Sequence, residues 1–173
     1  MSTVIDKINK ILGEKNFNIY QLSKLMNFSE GALRKMIGTK SPFSENAINK
    51  ILPFLEVSRE EFESWILADK YPKEVLKLAV NIKKDFPYKR KSILTTKIDA
   101  ILQEKKISRT TLSKEIKYGQ SGLNQIITGK RTMPKSVLER LSKALDISQE
   151  EILSWIVADR YSLQILEAAC AFL

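Results

Sequence analysis

Histidine is absent from this chain, and cysteine occurs once, as Cys170. The first absence excludes any mechanism that needs imidazole as base, proton shuttle or metal ligand. The second excludes an intrachain disulfide and makes a zinc site an unsuitable expectation. Cys170 lies in the apolar stretch Ala168-Ala169-Cys170-Ala171-Phe172-Leu173, where a packed thiol is expected rather than a reactive one. No apolar run approaches the roughly 20 residues that a membrane span needs, and no segment reads as a signal peptide. Sustained alternation of the strand type is missing as well. Gly129-Lys130 lacks the upstream glycine of a phosphate loop, and the acids Glu60, Glu61 and Glu63 fit the favourable start of a helix better than a catalytic cluster. The reading is therefore of a protein that is not an enzyme, with no catalytic residue, no cofactor and no metal.

What is present is a repeat. Trp65-Ile66-Leu67-Ala68-Asp69-Lys70-Tyr71 returns as Trp155-Ile156-Val157-Ala158-Asp159-Arg160-Tyr161, an offset of 90 residues. Ile8, Leu12, Leu22, Ser23, Leu33, Ile37, Leu55 and Ser58 return at the same offset as Ile98, Leu102, Leu112, Ser113, Leu123, Ile127, Leu145 and Ser148. A register held without a gap means two copies of one domain. Two copies are too few for a stacked solenoid, so each is expected to fold by itself. The division reads as a first domain at 1–80, a linker at 81–92 and a second domain at 93–173.

The chain carries a net charge of +9, and its distribution is uneven. Segment 81–92 holds Lys83, Lys84, Lys89, Arg90 and Lys91 against Asp85 alone. A basic chain favours polyanions, with binding weakened by salt. A basic linker is either a solvated tether or an arm along a phosphate backbone, for which Lys89, Arg90 and Lys91 are the candidates. Extended, ten such residues span about 33 Å, comparable to one turn of DNA.

Apolar spacing is helical throughout. In the second copy Leu94, Ile98, Ile101 and Leu102 make the face of a first helix, and Ser108 caps a second that turns Leu112 and Ile116 inward. A short break at Lys117-Tyr118-Gly119 precedes a third helix with Leu123, Ile126 and Ile127 on its apolar side. Pro134, suited to a first helical position, opens a fourth; Ser148 with Glu151 has capping-box spacing and starts a fifth. Trp65 and Trp155 are expected to close small cores. Each copy ends in a sixth helix, and the last is expected to bury its apolar side on its own domain or to pair with another chain. Five to six short helices per copy make an all-α protein.

The second and third helices are separated by helix-turn-helix spacing. The pattern from Ile107-Ser108-Arg109-Thr110-Thr111-Leu112 through Gly129-Lys130, Pro134, Leu138, Leu141 and Ile147-Ser148 resembles the Cro and lambda-repressor class of helix-turn-helix domains, the XRE-like family. Gly119-Gln120-Ser121-Gly122-Leu123 is similar to the start of that family's recognition helix. The resemblance covers the larger part of the second copy, leaves the sixth helices outside, and implies a tandem pair of lambda-repressor-like domains. It implies base reading in the major groove of double-stranded DNA by Gln120, Ser121, Asn124 and Gln125. Glutamine suits adenine N6 and N7, and serine can donate or accept. Phosphate contacts are implied for Arg109 and Thr111 at the head of the second helix and for Lys130 and Arg131 in the loop after the third. Arg109 stands where the family often has glutamine, and Lys117 where glycine is common.

The first copy departs at the reading surface. Glu30, Gly31, Arg34 and Lys35 align with Gln120, Ser121, Asn124 and Gln125. Glu30, Arg34 and Lys35 are the base-reading candidates there, with Gln21 and Lys40 on phosphate. The chain then reads as a cytoplasmic, nucleoid-associated transcriptional repressor or regulator without membrane contact, recognising a site with two unlike halves. The alternative is a protein-interaction module on the same fold, an antirepressor or an inhibitor of a nucleic-acid enzyme. Homodimerisation and a regulatory protein partner stay open.

Overall fold

The computed structural model describes residues 3–38, 43–86 and 92–173, which form twelve helices and, among the described residues, no strand. The first copy supplies α1 (Thr3–Glu14), α2 (Ile19–Met26), α3 (Glu30–Ile37), α4 (Glu45–Leu55), α5 (Arg59–Lys70) and α6 (Lys73–Asp85). The second supplies α7 (Ile93–Glu104), α8 (Arg109–Glu115), α9 (Gln120–Ile127), α10 (Lys135–Leu145), α11 (Gln149–Arg160) and α12 (Leu163–Cys170). The all-α tandem architecture follows from the apolar spacing.

Boundaries near 80 and 93 describe the duplicated sequence. The compact units are Met1–Lys73 with Glu167–Leu173, and Glu74–Leu166. In the first unit Ile8, Leu22, Leu33, Ile51, Phe62 and Trp65 are fully enclosed, and Phe172 packs against their cluster. In the second, Ile98, Leu112, Leu123, Leu141, Ile152 and Trp155 fill the equivalent positions. Each such side chain contributes about 1.5–3 kcal/mol on leaving water. The indole N–H of Trp65 has no hydrogen-bond partner among the described residues.

Helix ends follow the sequence closely. Ser29, Ser44 and Ser58 accept from the backbone three residues on, as do Ser92, Ser108 and Ser148. Asn18 and Gln21 form a complete reciprocal capping box at α2. Pro134 falls one position earlier than expected, at the N-cap of α10, where its carbonyl accepts from Val137 and Leu138. Pro53, itself exposed, sits in the last turn of α4. Helix α6 runs through Asp85, so Lys83 and Lys84 belong to its last turn, and Lys83 donates to the Ala158 carbonyl at 2.9 Å. Lys89, Arg90 and Lys91 lie outside the described residues, as does Lys40.

Two devices recur in both copies. Asp69 on α5 accepts from the backbone of Thr3 and Val4 at 2.5 and 3.0 Å, and Asp159 on α11 accepts from Ile93 and Leu94 at 2.8 and 3.0 Å. One carboxylate thus satisfies two orphan donors of the first helix and ties it to the fifth. The second device is a set of left-handed residues at matching places: Asn16 and Lys106, Asn27 and Lys117, Glu56 and Asp146. Lys117 (φ 51°) therefore makes the same turn as Asn27 (φ 54°). Lysine carries a steric cost there of about 1–2 kcal/mol that asparagine and glycine largely avoid. Lys117→Gly is expected to stabilise the second unit by about 0.5–1 kcal/mol in chemical denaturation, after the entropic cost of glycine is deducted, while Lys117→Ala leaves stability nearly unchanged.

Candidate nucleic-acid interface

The motif of the second unit is α8, the turn at Lys117-Tyr118-Gly119, and α9. Leu123, Ile126 and Ile127 are buried, which fixes the rotation of α9 about its axis. Gln120, Ser121 and Gln125 consequently lie exposed and Asn124 half-buried on the opposite side. With Thr128 and Lys130 they line an open depression of about 470 Å³. Such a surface offers several amide and hydroxyl donors and acceptors beside one cation, a suitable complement to base edges flanked by phosphate.

Neighbouring groups orient these side chains. Gln120 donates through Nε2 to Thr110 Oγ1 at 2.9 Å, which leaves its Oε1 and the second amide hydrogen for a ligand. The ring of Tyr118 lies close over Gly122, so that a Cβ there would approach Tyr118 Cε1 to 2.9 Å. The carbonyl of Ile127, at the end of α9, accepts from Thr95 Oγ1 at 2.9 Å, which ties α9 to α7.

The four phosphate candidates differ in what already engages them. The Thr111 hydroxyl lies 3.0 Å from that of Ser108, at the exposed head of α8. Lys130 and Arg131 are exposed, in a loop that Gly129 turns at φ 74°. Arg109 is half-buried; its guanidinium donates to both oxygens of Asp99 and reaches Asn124.

The first unit builds the same motif with other chemistry. Helix α3 buries Leu33, Met36 and Ile37 and exposes Gly31, Arg34 and Lys35. Glu30, half-buried at the first turn, accepts from Arg34 Nε at 2.8 Å and lies 2.7 Å from Nη2, so the two charges are spent largely on each other. Gln21 has its Oε1 occupied by the Asn18 backbone and retains its amide hydrogens. Tyr20, where the second copy has Thr110, is 53% exposed, and Leu25 is 62% exposed; both are on α2.

Both turns are pinned from the fourth helix. Lys50 donates to the Met26 carbonyl at 2.9 Å; its counterpart Arg140 donates to Ile116 at 3.0 Å and Lys117 at 3.3 Å. A cation at the C-terminal end of a helix satisfies carbonyls that lack a partner and opposes the helix dipole.

A family profile described as a Cro/C1-type HTH DNA-binding domain matches residues 7–68 and again residues 97–159. The chain belongs to the Cro/C1-type helix-turn-helix DNA-binding domain family. A search of curated proteins and a search of solved structures each found no match. Its two Cro/C1-type domains are DNA-binding modules of a type that serves transcription regulation, and the family is not an enzymatic one. Among the described residues no helix is long and apolar enough to cross a membrane, and no group of three or more His, Cys, Asp or Glu could hold a metal ion.

Three contributors escaped the sequence reading: Thr110 as partner of Gln120, Asp99 as partner of Arg109, and Arg140 at the turn. The recurrence of a cation at positions 50 and 140 was the available signal for the last. The other two depend on contacts ten residues apart, between elements whose packing angle periodicity does not specify. Arg140→Met keeps the apolar stem and removes the donors. It is expected to lower stability by about 1 kcal/mol, the value of a partly exposed charged hydrogen bond, read as an earlier melting transition of the full chain.

Proposed function

We propose that the chain is a sequence-specific transcriptional repressor that recognises a two-part duplex site, one part through each Cro/C1-type domain. The observation that carries this reading is the outward face of α9. Four side chains that can pair with base edges stand together there, with Lys130 beside them and the apolar side of the helix buried. Gln120, Ser121, Asn124 and Gln125 are assigned to bases, and Thr111, Lys130 and Arg131 to phosphates. In the first domain Arg34, held by Glu30, suits guanine O6 and N7, with Lys35 beside it and Gln21 able to donate to a phosphate. Since the two faces share no residue, the two halves of the site differ. Covalent linkage raises the effective concentration of the second domain once the first has bound, so either half alone is held more weakly than both.

The exposed Tyr20 and Leu25 favour a second reading for the first domain, as the docking face for a protein. A regulator of that kind would read DNA with α9 alone.

Selection of the full chain from a randomised duplex pool at about 150 mM salt, where non-specific attraction is damped, tests both. Enrichment of a motif with two unlike parts is expected. A single short part assigns the first domain to a protein partner, and enrichment of nothing by folded protein contradicts DNA reading altogether.

A further inference from the structure

Arg109 is the one basic side chain at the head of α8, the place from which a guanidinium would ordinarily be drawn to phosphate. In this chain it is already engaged. Nε donates to Asp99 Oδ1 at 2.9 Å and Nη2 to Oδ2 at 2.7 Å, with Nη2 also 2.7 Å from Oδ1, so both carboxylate oxygens are engaged in charge-assisted bonds. The remaining arm, Nη1, reaches Asn124 Oδ1 at 3.5 Å, the long end of hydrogen bonding. Asp99 belongs to α7, Arg109 to α8 and Asn124 to α9, so three helices meet in one polar chain.

The chemistry of the pair determines what Asn124 presents. A guanidinium has donors only, and the asparagine amide has an oxygen that accepts and a nitrogen that donates. The oxygen must therefore turn toward Arg109, which leaves the NH2 group as the free end. An asparagine without such a neighbour can present either end. We propose that Asp99 is a positioning residue for base reading. By holding Arg109 it fixes the Asn124 amide with its donor end outward, toward a purine N7, a guanine O6 or a thymine O4. The same pairing keeps the Arg109 charge off the phosphate backbone. The first copy has Asn9, Ile19 and Arg34 at these three places and cannot build the chain. The inference rests on the reading that α9 meets base edges.

The test uses the full chain and the duplex it selects, with two readouts. One is the affinity ratio between that duplex and duplexes changed at single base pairs; the other is the slope of log affinity against log salt. Asp99→Asn keeps the size of the side chain and frees the guanidinium. It is expected to reduce discrimination at one base pair, by a factor within the roughly 5- to 150-fold span of a base contact. It should also tighten binding to unrelated duplex and steepen the salt slope by about 0.9, the increment for one further phosphate. Arg109→Met is expected to lose discrimination at the same base pair with the slope unchanged, and it carries the test alone if Asp99→Asn fails to keep its helical circular dichroism. Unaltered discrimination in both variants, beside a discriminating parent, overturns the proposal while the reading of α9 stands. A slope shallower by about 0.9 in Arg109→Met makes Arg109 a phosphate contact and also overturns it. A parent that does not discriminate at all removes the reading itself, and the proposal with it.

Discussion

The carboxylate at the end of the fifth helix of the second unit anchors the packing on which the outward face of α9 depends. Asp159 accepts two backbone hydrogens from the first turn of α7, which fixes the register of α7 against α11. Helix α7 in turn reaches α9 twice: Thr95 donates to the last carbonyl of α9, and Asp99 holds Arg109 against Asn124. Through α7, this carboxylate helps to hold in place the helix that carries Gln120 and Asn124, whose rotation is fixed by its buried side. Burial of Leu123, Ile126 and Ile127 supplies most of the free energy of docking, and it is directionless along the groove between helices. The hydrogen bonds from α7 select one position among those that burial would allow.

The duplication kept this frame and altered what it displays. Asp69 repeats the double acceptance at α1, and Lys50 repeats the support of the turn. Beyond these shared parts, Ile5 replaces Thr95, Tyr20 replaces Thr110, and Arg34 replaces Asn124. Ile5 has no hydroxyl to donate and Arg34 no oxygen to accept, so the bonds made by Thr95 and Asn124 have no counterpart in the first unit. The first unit substitutes a pair within one helix, Glu30 with Arg34, for a network across three. Such a pair is worth little to stability on an exposed face, but it fixes the direction of a guanidinium. Fold and recognition are separable between the two copies: the buried positions and the Ser58 and Ser148 caps are held in common, and the outward positions of α3 and α9 differ.

Much of this is legible in the sequence. The 90-residue offset, apolar spacing and serine caps define nearly every helix, because each depends on neighbours within one or two turns. The outward placement of Gln120, Ser121 and Gln125 follows equally from the burial of Leu123 and Ile127. Interactions set by packing angle were not legible. The pairing of Arg109 with Asp99 is an example, since nothing local reveals Asp99 ten residues earlier. The continuation of α6 through Asp85 was hidden by the density of lysines, which suits a helical last turn as well as a tether. Which compact unit each terminal helix joins depends on partners far away in sequence.

The central claim is that the outward face of α9 meets base edges. It is tested most directly by following the side-chain amide resonances of Gln120, Asn124 and Gln125 in the full chain as its selected duplex is added. The account predicts that all three shift and become protected from exchange at stoichiometric duplex, while the indole resonance of buried Trp155 stays nearly fixed. Saturation of the duplex with those three amides unmoved would contradict it.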